Sequence, residues 1–289
     1  MKILNLKSIL STFLFLFVVL QVNAANEDKS LLWKISGNGL KQESYLFGTI
    51  HIICKDQFFV DDRIERALAS TQKIALELNM SDPKMMEEMQ QLSINEGFIN
   101  IKDAFTPDQA AALNEFLLKS YGVGLDQLGI LKPFVLSSMV MLKMLPCKEQ
   151  SSYEMFFVEK AKERQIEMVG LETVAFQIGL FDKIPQKIQI DDLAKLAMEE
   201  DGLQEFGKLV NAYLNEDIEE LYNLIYQNEM FREYGNLLLE ERNANWVPEI
   251  EELIHQQPTF IAVGSGHLAS ETGVIQLLRK AGYTVEAVK

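Results

Sequence analysis

Phe260-Ile261-Ala262-Val263-Gly264-Ser265-Gly266-His267 is an apolar, β-prone run that ends in glycine, two further residues and histidine. The same device occurs far upstream as Tyr45-Leu46-Phe47-Gly48-Thr49-Ile50-His51. Each stretch predicts a buried strand that delivers an imidazole at its carboxyl end. The whole chain has three histidines, so two of the three stand in this one repeated setting. A glycine at a strand exit lets the backbone turn with positive φ or approach a ligand closely, and strand exits are where open α/β sheets form their binding crevices.

Working outward, Leu31–Gly37 and Ser44–Ile53 are β-rich runs separated by the turn signal Ser36-Gly37-Asn38-Gly39, which predicts an opening β-hairpin. Asp61–Ser70 has helical periodicity, and Lys73–Met80 reads as another strand with Glu77 inside it. A carboxylate in an apolar strand must be paired, bound to a cation or placed at the sheet end. From Asp82 to about Glu163 the pattern is helical. Ser81-Asp82-Pro83, Thr106-Pro107 and Lys132-Pro133 mark helix starts, and Met139, Met141 and Met144 read as core filler. Ser151–Arg164 is a further helix. Ile166–Leu171 is a short strand ending in Glu172, with Thr173 set to cap the helix that follows.

Beyond Ile184-Pro185, residues at about 185–255 read as a charged, all-helical insertion. Its acidic runs, Met198-Glu199-Glu200-Asp201 and Asn215-Glu216-Asp217, read as solvated faces and helix starts. Near its end Arg242 stands beside Asn243 and Trp246, either as a surface residue or as a guanidinium able to reach an oxyanion or a carboxylate. His255 reads as a favourable helix C-terminal residue. The chain closes with the second glycine–histidine strand, a helix from about Glu271 to Ala281 and a strand at Tyr283–Val288. The expectation is an α/β fold. Two strand-GxxH-helix-strand units share one sheet, helices cover its faces, and the helical segment is inserted between them.

A length of 289 residues with 48% hydrophobic content supports a globular chain, and a net charge of −15 argues against a nucleic-acid partner. Residues 1–24 read as a signal peptide: Lys2 and Lys7, an apolar core from Ile9 to Leu20, then Val22-Asn23-Ala24 before Ala25. That apolar run is shorter than the ~20 residues that span a bilayer, so no stable membrane anchor is expected after cleavage and the product is periplasmic or secreted. In an oxidising compartment Cys54 and Cys147, the two cysteines of the chain, are expected to form a disulfide beside His51.

Two imidazoles and one or two carboxylates brought from separate strand ends suit a divalent ion such as Zn, Mn or Co, with a position open for water. A nearby free carboxylate would then take that water's proton. The alternative without metal is a histidine acting as general base, oriented by the glutamates. Gly264-Ser265-Gly266 lacks the G-x-S-x-G elbow of a serine nucleophile, and the chain has no H-E-x-x-H.

The two Gly-x-x-His segments, Leu76-Glu77, Gly170-Leu171-Glu172-Thr173 with Gln177, and Arg242-Asn243 with Trp246 resemble the TraB/GumN family, related to the Tiki proteins, from about Leu31 to the C-terminus. The resemblance implies a fold of the erythromycin esterase (EreA)/ChaN-like kind and a metal-dependent hydrolase acting on a peptide or other cell-envelope substrate. It carries the site onto His51, Glu77 and His267 as metal ligands, Glu172 as base or further ligand, and Arg242 as stabiliser of developing charge. Many relatives have an aspartate where this chain has Tyr153-Glu154, so Glu154 is given no role. Tiki proteins are membrane anchored and act on Wnt ligands, and that substrate is not carried over. The competing class is a non-catalytic protein that binds a peptide or polysaccharide fragment.

Overall fold

A computed structural model describes residues 29–198 and 201–289. The segment read as a signal peptide, and Glu199 and Glu200 of the acidic run, lie outside the described residues. The hairpin forms as expected: β1 (Leu32–Gly37) pairs antiparallel with β2 (Ser44–Thr49). Its turn takes Gly37, Asn38 and Gly39 through positive φ of 78°, 45° and 81°, which is why glycine brackets it.

The chain continues through β3 (Ile53–Cys54), α1 (Asp62–Ser70), β4 (Lys73–Leu76), α2 (Met85–Leu92), α3 (Pro107–Tyr121), α4 (Leu125–Leu128) and α5 (Pro133–Met144). Then come β5 (Gln150–Ser151), α6 (Tyr153–Arg164), β6 (Glu167–Gly170), α7 (Val174–Phe181), α8 (Gln186–Met198), α9 (Asp201–Leu214), α10 (Ile218–Ile225) and α11 (Glu229–Gly235). A π-helical turn (Asn236–Glu240) leads into α12 (Glu241–Gln256), followed by β7 (Thr259–Gly264), α13 (Val274–Lys280) and β8 (Tyr283–Ala287). The starts follow the sequence signals. Asp61, Ser152 and Thr173 accept backbone N–H bonds as N-caps, Thr106 and Gln109 form a reciprocal capping box, and Pro107 and Pro133 open their helices.

Six strands form one mixed sheet in the order β6-β4-β7-β2-β1-β8, with β1 antiparallel to both neighbours and the other pairings parallel. The two strands that end in Gly-x-x-His are therefore central neighbours, with Thr49 opposite Gly264. Their exits diverge: β2 connects through α1 to β4, and β7 connects through α13 to β8 at the opposite edge. Connections that leave adjacent parallel strands in opposite directions define the crevice position of α/β sheets. β4 ends at Leu76, one residue short of Glu77, so this glutamate sits just past the strand and not within it.

Tyr153 and Phe157 of α6 rest against Phe47 at 5.4 and 6.0 Å, and Phe157 meets Phe260 at 5.1 Å. Aromatic contact between α6 and the two central strands anchors the sheet core. The helical stretch at 185–255 is shared among three hydrophobic clusters, one of them a small one around Leu180, Ile184 and Leu238. α8 packs with α3 and α5 around Leu113, Leu136 and Leu193, whereas α9, α10 and α12 cover the sheet. Met139 and Met144 pack against the helical core, and Met141 is exposed. Among the described residues no helix is long and apolar enough to cross a membrane.

Candidate functional site

The carboxyl ends of β2, β4, β6 and β7 bring the expected side chains to one place. Glu77 leaves β4, and Glu172 follows β6 beside it, its N–H donating to the Glu77 carbonyl at 3.0 Å. Gly264 lies between these acids and the imidazoles. A methyl group placed on it would come within 3.2 Å of Glu77 Oε1, 3.6 Å of His267 Cδ2 and 3.7 Å of His51 Nε2. The two rings thus border one point, and only glycine leaves that point free. The Gly264 N–H donates to Glu77 Oε1 at 2.8 Å.

Arg242 arrives from the first turn of α12 and is buried at the centre of the group. It donates from Nη2 to Glu77 Oε2 and to Glu172 Oε1, both at 2.6 Å, and from Nε to Glu172 Oε2 at 3.2 Å. Trp246, one turn further along α12, donates to Glu172 Oε2 at 3.0 Å and stacks under the guanidinium. Gln177 of α7 donates to Glu77 Oε2 at 3.1 Å. Of the two readings for Arg242, the structure selects the one that reaches carboxylates. Glu172, expected as base or further ligand, accepts three N–H bonds on its two oxygens, with 4% of its side chain exposed.

The hydrogen-bond network fixes the tautomer of His267. Arg242 Nη1 is 3.1 Å from its Nε2, and a guanidinium can only donate, so Nε2 accepts and the proton is on Nδ1. Nδ1 donates to Asn243 Oδ1 at 2.6 Å, and Asn243 Nδ2 donates to the Thr272 carbonyl. His51 is held in the same sense by different atoms, with its Nδ1 2.9 Å from Glu154 Oε1. The Glu154 carboxylate is fixed in turn by the hydroxyls of Thr49 and Ser152. The rings differ in access: 69% of the His51 side chain is exposed, against 5% for His267.

Electrostatics separates them further. Burial pushes His267 down to about 3, with Arg242 adding to the effect and Glu77 opposing it, so the ring is neutral. For His51 desolvation acts downward, but the hydrogen bond and charge of Glu154, helped by Glu77, raise it to about 9. Glu77 resists its own burial because Arg242, above all, holds it well below the usual carboxylate range. Burial raises Glu172 despite its bonds to Arg242.

Glu154 is the site residue that reading the sequence left without a role. It belongs to the first turn of α6, and the expected Cys54–Cys147 disulfide is present. Cys54 pairs with Gln150 and Ile53 with Ser151, which sets the chain carrying His51 against the chain leading to Glu154. His255, read as a helix C-terminal residue, sits in the last turn of α12 and bonds Tyr283.

The donor set suits a divalent cation in its chemistry. Both imidazoles have Nδ1 tied to an oxygen, so Nε2 is the atom each could offer a cation once Arg242 releases that of His267, and Glu77 could add an oxygen; outer-shell partners of this kind are what orient metal-binding histidines. No ready-formed cluster of three ligands for a metal exists among the described residues, and Arg242 bonds Glu77, Glu172 and His267 together.

A six-stranded mixed sheet with helices on its flanks, and an arginine-centred pair of carboxylates beside two histidines at the carboxyl ends of its central strands, defines the class of protein. The chain belongs to the TraB/PrgY/gumN family, whose model matches residues 31–287. Among curated proteins and among solved structures, none matches it significantly.

Proposed function

We propose that the chain is an exported, metal-dependent hydrolase of peptides or other cell-envelope polymers, built on a sheet of the EreA/ChaN-like kind. The observation that carries this reading is the convergence of His51 and His267 on Gly264, each ring anchored through Nδ1, next to Glu77. His51, Glu77 and His267 would hold the ion, of Mn, Co or Zn type. When bound, it would lower the pKa of water towards neutrality and polarise the scissile carbonyl.

The chain's own residues orient and shield. Glu154 and Asn243 fix the ring planes of His51 and His267. Gln177 and the Gly264 N–H hold Glu77, and Glu172 holds Arg242, whose charge offsets the two carboxylates and favours negative charge developing nearby. The exposed His51 is the side from which substrate reaches the centre. Hydrolysis of a peptide library by protein reloaded with each metal tests this reading. Cleavage that is lost with chelator and in both His51→Ala and His267→Ala is the expected result; cleavage unaffected by chelator would move the assignment to the second version.

In that second version His51 itself takes the proton from water. The Nδ1 contact to Glu154 favours it, because an oriented imidazole beside a carboxylate is the general-base arrangement. Since His51 titrates at about 9, this version predicts activity that climbs into alkaline pH. Export is supported by the N-terminal basic, apolar and small-residue segments and by the disulfide, which persists in oxidising compartments. Protein recovered from the cell envelope or medium is expected to begin at Ala25, as N-terminal sequencing would show.

A further inference from the structure

Arg242 has five N–H donors, and every one has an acceptor. Nε and one Nη2 hydrogen go to Glu172, the other Nη2 hydrogen goes to Glu77, and Nη1 serves the Leu238 carbonyl at 3.0 Å and His267 Nε2 at 3.1 Å. The last contact is the informative one. His267 carries its proton on Nδ1, so Nε2 is the only ring lone pair, and a guanidinium N–H already points at it. One lone pair cannot accept that N–H and ligate a cation at the same time.

We propose that Arg242 is the buried cation of the metal-free centre, and that a divalent ion on His267 Nε2 and the Arg242 contact to that nitrogen are mutually exclusive. The proposal rests on the metal-dependent version of the function above. It makes Arg242 the residue that sets metal affinity: loading the site means exchanging the guanidinium bond on His267 Nε2 for a metal bond. The surroundings are built for such an exchange. Glu172 keeps Arg242 by two bonds and Trp246 stacks on it at 4.7 Å, so the guanidinium stays anchored when it releases His267. Gln177 and the Gly264 N–H continue to orient Glu77. The π-helical turn Asn236–Glu240 lies immediately before α12, and the Leu238 carbonyl within it receives Arg242 Nη1, so the side chain hangs from a stretch of relaxed helical register.

Without Arg242 the metal-free protein would bury Glu77 and Glu172 side by side with no guanidinium between them. The exchange therefore predicts two linked effects of removing it: a weaker metal-free fold and a tighter metal site.

Zinc binding is measured by calorimetry with a competing chelator on wild type, Arg242→Gln, Arg242→Lys and His267→Gln, and metal-free melting is recorded for each. The expected result is zinc affinity at least tenfold tighter in both Arg242 variants, with lower metal-free melting that zinc restores. Lysine keeps the charge but cannot reproduce the five-donor fork, so it separates bond exchange from simple repulsion. A tight Arg242→Gln site with wild-type affinity in Arg242→Lys overturns the exchange. Equal affinity in wild type and both Arg242 variants, lost in His267→Gln, also overturns it while leaving the metal reading intact. Failure of zinc, manganese and cobalt to bind any of the proteins removes the metal reading, and this proposal with it. Should the Arg242 variants not fold, the wild-type protein itself carries the test. The wild-type Arg242 guanidinium N–H and His267 Nε2 resonances, followed by NMR, are then the readout: both are expected to shift on zinc saturation, and unchanged resonances with zinc bound overturn the exchange.

Discussion

At the residue scale the two imidazoles are alike in sequence and opposite in state. His51 is exposed and paired with Glu154, whereas His267 is buried and accepts from Arg242. Linkage gives them opposite slopes. His51, raised from 6.5 to about 9, contributes stability that is complete below pH 6.5 and is lost as pH climbs through 9. His267, lowered from 6.5 to about 3, contributes stability that is complete above pH 6.5 and is lost as pH falls towards 3. In chelator, the contribution of the pair is expected to peak near pH 6.5. Denaturant melts across the range check this. Glu154→Gln is expected to remove the alkaline slope and to bring the His51 titration seen by NMR back towards 6.5, while the acid limb persists. Gly264→Ala belongs to the same scale. Its methyl would stand 3.2 Å from Glu77 Oε1, and the predicted outcome is a folded protein with weakened metal binding, measured by calorimetry.

Among the elements, the small β3–β5 pair does more than its length suggests. With the Cys54–Cys147 bond it ties the exit of β2 to the start of α6, and those two segments carry His51 and Glu154. The bond closes a loop across a sequence separation of 93, so its loss should cost about 2–4 kcal/mol, chiefly by freeing the unfolded chain. Cys54→Ser/Cys147→Ser is expected to show that loss in urea titrations together with a lower His51 pKa. Thiol labelling before reduction should find neither cysteine reactive, and labelling of both in native protein would sink the bridge. At the other end of the site, the spacing of Arg242 and Trp246 along α12 places guanidinium and indole on the same carboxylate.

For the molecule as a whole, the helical core of α3, α5 and α8 is separate from the core under the sheet. Leu193→Ala, at a fully buried position of that helical core, is expected to lower stability by about 2–5 kcal/mol and to leave the His51 titration and zinc affinity unchanged. A change in either would mean that the two cores are coupled. Much was legible in the chain alone. Apolar runs, turn glycines and capping residues are local signals, and they located the hairpin, the starts of α3, α5 and α7, and both Gly-x-x-His exits. Local signals also supplied His51, Glu77, Glu172, Arg242 and His267 as candidates. Three things waited for the tertiary structure: that β2 and β7 are adjacent, that Arg242 sits between both carboxylates and His267, and that Glu154 completes His51. A residue's type and periodicity follow from its neighbours in sequence, whereas its charge state and partners depend on segments far apart along the chain, which only the folding of the sheet brings within hydrogen-bonding reach.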